Sequence, residues 1–118
     1  MTTTTNKYLN NNEAKIITLF CTDAIAKGCT VSVFDGCEFA LKRSRDVQKI
    51  LIEAAATGED SFRIRNKDGE IVGSVYCIYN NGNEGLDVMA DYTESTLMNE
   101  ILYRAHSFID EMEEAQII

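Results

Sequence analysis

The chain contains no proline and no tryptophan, a single histidine, and no run of 18 apolar residues. Without such a run there is no candidate membrane-spanning helix. The absence of proline is unusual but identifies nothing. The Thr/Asn-rich stretch from Met1 to Asn12 lacks the apolar centre of a secretory signal. No G-x-S-x-G elbow, Walker loop, H-E-x-x-H or dinucleotide fingerprint occurs. The one histidine, His106, falls in the last expected helix beside Ala105 and reads as a partly exposed surface residue, leaving little for imidazole-based nucleophilic catalysis. The four cysteines, Cys21, Cys29, Cys37 and Cys77, include no C-x-x-C pair. No single turn therefore presents two zinc ligands. No metal, no cofactor and no enzymatic activity are expected. With no signal segment, the thiols are expected to stay reduced in a cytoplasm. Cys77, inside an apolar run, is expected to be buried.

What is present describes one domain. The 118 residues are 45% apolar, enough for a packed core. Residues 1–11 read as a flexible polar lead and 12–118 as the folded domain. Asn11 and Asn12 offer caps for a first helix over roughly 12–27, with Ala14, Ile17, Cys21 and Ala24 at helical spacing and Gly28 just beyond its end. Thr30 to Phe34 reads as a strand, Asp35-Gly36 as a hairpin turn, and Glu38 to Lys42 as the returning strand with Phe39 and Leu41 on one face. Ser44 is expected to cap a second helix that ends at Gly58. A period of two from Asp60 puts Phe62 and Ile64 opposite Arg63 and Arg65. Glu70 to Tyr79 and Leu86 to Ala90 supply two more strands. Thr93 is expected to cap a long last helix striped by Leu97, Met98, Ile101, Leu102 and Ala105. The order α-β-β-α-β-β-β-α with short turns implies a two-layer α+β fold, a mainly antiparallel sheet of about five strands with helices.

Several segments form a familiar pattern. Val31-Ser32-Val33-Phe34-Asp35-Gly36 is followed by Leu41-Lys42-Arg43-Ser44 and a helix. Then come Gly58-Glu59-Asp60, Phe62-Arg63-Ile64-Arg65, Asp68-Gly69, Val72-Gly73 and Asp87-Val88-Met89-Ala90-Asp91-Tyr92-Thr93. Over about residues 31–93 the chain resembles small uncharacterised proteins of tailed bacteriophages and prophages, for which no activity is assigned. The resemblance implies an accessory protein that binds a host protein stoichiometrically in the host cytoplasm. Targets of that kind include restriction, CRISPR and other defence components, and transcription or replication machinery.

Charge is unevenly spread. The chain carries a net −8, with +1 over residues 1–58 and −9 over residues 59–118. This acidity argues against direct nucleic-acid binding. Asp110, Glu111, Glu113 and Glu114 cluster at a helix C-terminus, where the macrodipole disfavours them, and suit a surface steering toward a basic protein partner. The alternative is a small-ligand or nucleotide site built from Lys42, Arg43, Ser44, Arg45, Arg63 and Arg65, with the Ser44 helix start supplying free N–H groups to an anion. Lys49 extends that basic cluster. Asp87 and Asp91 are expected on one strand face, about 13 Å apart and too far for one ion. An edge strand or Ile117-Ile118 could support a homodimer.

Overall fold

The computed structural model describes residues 9–117. It is an α+β fold of α1 (Asn11–Ala26), β1 (Thr30–Phe34), β2 (Phe39–Ser44), α2 (Val47–Glu53), β3 (Glu59–Arg65), β4 (Ile71–Ile78), β5 (Met89–Tyr92) and α3 (Thr96–Ile117), with a short 3-10 turn at Asn83–Gly85. The sheet is antiparallel throughout, in the order β2-β1-β3-β4-β5. Most of the expected polar lead, residues 1–8, lies outside the described residues. Its last part is structured: Leu9 packs against the core and Asn10 caps α1.

The three helices cover one face of the sheet. Along β3, Asp60, Phe62 and Ile64 are buried, while Ser61, Arg63 and Arg65 are not, as strand alternation requires. Phe62 meets Phe20 of α1 edge to face at 5.4 Å. Ile16 and Ile17 of α1, Ile50 of α2 and Met98, Ile101 and Leu102 of α3 complete one core with Val31, Val33, Val75 and Cys77. Cys77 is buried as expected. The close approach of α3 to the sheet depends on Gly73, where an added Cβ would stand 2.6 Å from Met98 Cγ and Sδ.

The helix starts differ from those expected, for identifiable reasons. Asn10, not Asn11 or Asn12, is the α1 cap. Its side chain accepts from Glu13 N at 2.8 Å, and its N–H donates to Glu13 Oε1 at 2.9 Å, forming a capping box. Ser44 does not cap α2 but closes β2, and its Oγ accepts from Asp46 N. Asp46 is the cap, accepting from Gln48 N and Lys49 N. The α2 helix has only seven residues. It stops well before Gly58 because Ala55 turns into the left-handed region at φ 63°. Ser95 Oγ, rather than Thr93, accepts from Met98 N at the start of α3, and Thr93 Oγ1 instead accepts from Ser74 N. The last strand begins at Met89 instead of Leu86, because Leu86 and Val88 are spent filling the core. Phe39 and Leu41 do not share a face. The pairs Phe34–Phe39 and Val33–Leu41 show one extra residue on β2, a bulge that turns Phe39 away from the helices.

Adding a side chain beneath α3 should therefore cost stability. Gly73→Ala is expected to lower unfolding free energy by about 1–3 kcal/mol through overpacking, read as a shift in the urea midpoint with an unchanged m-value.

Candidate binding surfaces

Sheet register decides which expected site residues meet. Ser32 pairs with Arg63, and Arg63 with Ser74, on the face that no helix covers. On the same face Phe34 pairs with Ser61, Ser61 with Tyr76, and Tyr76 with Asp91. The Arg63 guanidinium carbon lies 5.2 Å from the Phe39 ring centroid, and Lys42 Nζ lies 5.8 Å from it. Lys42 and Arg63 are thus brought together over an aromatic ring, within cation–π range. Arg65 Nη1 donates to Gly69 O at 2.8 Å, and the Arg43 guanidinium reaches the same turn. Arg45 and Lys49 are exposed, on the β2–α2 connection and on α2 itself. The expected anion cradle at a Ser44 helix start does not form, since Ser44 ends a strand. The gathering point is Phe39, outside the expected cluster, and Tyr76, whose hydroxyl donates to Glu59 Oε1, also escaped sequence reasoning. Alternation predicted the face of Arg63, but only the register and the β2 bulge supply its neighbours.

The acidic residues lie on the last turns of α3. Asp110, Glu111 and Glu114 are exposed near the end of α3. Glu113 Oε2 accepts from Asn83 Nδ2 at 2.9 Å, and the same amide reaches Asp87 Oδ1 at 3.4 Å. The loop carboxylate of Asp87 thereby joins the helix end. Asp87 precedes β5 rather than lying on it, so it shares no strand face with Asp91. His106 is half-buried and meets Tyr92 edge to face at 5.1 Å. Among the described residues, no three His, Cys, Asp or Glu side chains gather in a way that could hold a metal ion. Cys21, Cys29 and Cys77 are buried and Cys37 is exposed, all as free thiols. Burial pushes the Cys21 and Cys77 thiols well up from their ordinary range.

Two carboxylates are fully buried under the helical layer. Glu13 Oε2 accepts from Asn80 N at 2.7 Å, tying α1 to the end of β4. Asp60 Oδ2 accepts from Ala55 N at 2.7 Å and from the Tyr79 hydroxyl. Its Oδ1 has no hydrogen-bond partner among the described residues. Burial pushes the Asp60 carboxyl up to about 6, against the opposing pull of the Ala55 N–H and Tyr79 hydroxyl.

Folding therefore raises the proton affinity of Asp60. The stability this contributes is complete below about pH 4 and is lost as pH rises through about 6. Asp60→Asn should remove that slope. The difference in unfolding free energy between wild type and variant is expected to change by about 1–3 kcal/mol between pH 4 and 7, in favour of wild type at the acid end. Chemical denaturation at matched pH values reads it.

Among the described residues, no helix is long and apolar enough to cross a membrane. No family model matches the chain, and no curated protein and no solved structure shows significant similarity to it.

Proposed function

We propose that this chain is a stoichiometric binding protein of the phage accessory type, engaging a basic host protein through the anionic end of α3. The observation that carries this reading is the bridge from Asn83 to Glu113 and Asp87. It ties one helix-end carboxylate, Glu113, to the loop and to the Asp87 carboxylate. Carboxylates at a helix C-terminus oppose the macrodipole and repel one another, so stability gives no reason to collect them there. A concentrated anionic surface does speed encounter with a cationic partner and suppress wrong ones. Proteins that contact nucleic acid expose the required basic footprint. Restriction, CRISPR, transcription and replication components in the host cytoplasm are targets of that character.

Affinity capture from a bacterial lysate, washed over a salt series, tests the reading. A basic protein should be recovered in near-stoichiometric amount and released as salt shortens the Debye length. An Asp110→Lys/Glu114→Lys double variant should bind that partner at least about tenfold more weakly, by loss of charge complementarity. Equal capture by wild type and variant would sink the acidic-surface reading.

A further inference from the structure

The uncovered sheet face carries a surface of different chemistry. A concavity of about 440 Å³ opens there, lined by Phe34, Glu59, Ser61, Arg63 and Tyr76 together with Gly36 and, from the core-facing side of β3, Asp60. That size falls within the range of small-molecule sites. Three aromatic side chains, Phe34, Phe39 and Tyr76, lie in or beside it, and Phe34 meets Phe39 edge to face at 5.1 Å. Lys42 and Arg63 both face the Phe39 ring. Among the described residues neither of these cations makes an ion pair. The one carboxylate lining the concavity from an exposed-face position is Glu59, and its Oε1 is occupied by the Tyr76 hydroxyl. Glu59 Oε2 remains as an acceptor. The hairpin passes close beside it at Gly36, where φ is +101° and an added Cβ would stand 3.3 Å from that oxygen.

The surface thus offers two cations at one end, flat apolar walls, and a hydrogen-bond acceptor at the other end. Glu59 and Arg63 are four residues apart along β3, about 13 Å between Cα atoms. A bare phosphate cannot bridge that span, but an anion joined through a sugar to a planar base can. The base must present a donor, not a carbonyl, to the Glu59 oxygen. Adenine, guanine and cytosine meet this condition through an exocyclic amino group, which hypoxanthine lacks.

We propose that this concavity binds a free mononucleotide whose base carries an exocyclic amino group, AMP being the probe, with the phosphate held by Lys42 and Arg63, the base against Phe34 and Tyr76, and the base amino group donating to Glu59. The site lies on strands, on side chains fixed by register, and uses no helix terminus. It is independent of the protein-binding reading, which places the partner at the end of α3.

Titration of the full chain with AMP, followed by amide chemical shifts and calorimetry, tests the proposal. AMP should shift amides of β1, β3 and β4 around the concavity. Adenosine, inorganic phosphate and IMP should each bind at least about tenfold more weakly, each having lost a charge-assisted or specific hydrogen bond. Arg63→Gln should weaken AMP about tenfold at an unchanged melting temperature. Glu59→Gln should narrow the preference for AMP over IMP. Asp110→Lys/Glu114→Lys should leave the AMP titration unchanged, which separates this site from the partner surface. No shift at millimolar AMP, equal binding of phosphate alone, undiminished binding by Arg63→Gln, or tighter binding of a short oligo-dA than of AMP would each overturn it.

Discussion

The open face of this sheet follows from a shortage of helix. Three helices, one of them only seven residues long, cover one face of a five-stranded sheet and leave the other to solvent. On the covered face the side chains serve packing and the hydrogen bonds of two buried carboxylates, down to a glycine at position 73 where α3 comes closest. The open face is released from that demand. It can hold Arg63, Lys42 and Tyr76 in fixed positions because the strands beneath them are pinned by the core on the far side. A rigid scaffold with one face free of packing duty is a general way to position recognition groups.

Two buried carboxylates fasten the covered side. Glu13 closes the α1 capping box with one oxygen and accepts the Asn80 N–H with the other. The first turn of the first helix is thereby clamped to the exit of β4. Asp60 does the corresponding work for α2. It takes the Ala55 N–H that a continuing helix would have used internally, and so sets where α2 stops. Buried charge is costly unless its oxygens are occupied. Glu13 meets that condition with both oxygens, while Asp60 meets it with one. Burial, opposed only in part by the Ala55 N–H and the Tyr79 hydroxyl, is why Asp60 holds its proton more tightly than an exposed aspartate.

The fold class and element order were legible in the sequence, because hydrophobic period switches cleanly from 3.6 to 2 at Asp60 and the turns are marked by Asp35-Gly36 and Asp68-Gly69. The caps were less legible. Runs such as Asn10-Asn11-Asn12 and Ser44-Arg45-Asp46 offer several residues able to accept from a helix N–H, and neighbouring packing chooses among them. The candidate sites were legible only in part. Arg63 and the carboxylates of the α3 end stood out by charge. Phe39 did not, since a bulge in β2 reverses its face without any glycine to announce it. Glu59 and Tyr76 are 17 residues apart in the chain, and only the β3–β4 register unites them. Strand registry is a long-range property, and local spacing does not encode it.

The contact between the first and last helices has a kinetic side. Arg104 of α3 makes two hydrogen bonds to the Asp23 carboxylate of α1, 2.7 and 3.0 Å long, across 81 residues of chain. The hairpins β1–β2 and β3–β4, by contrast, close over a few residues each. Loop-closure entropy favours the short closures first and the helix pair last. During synthesis, α1 leaves the ribosome before α3, so their contact must wait for the last helix. Until α3 arrives, the apolar side of β4 that Met98 covers at Gly73 stays open, a stage in which chaperone capture or misassembly competes with folding.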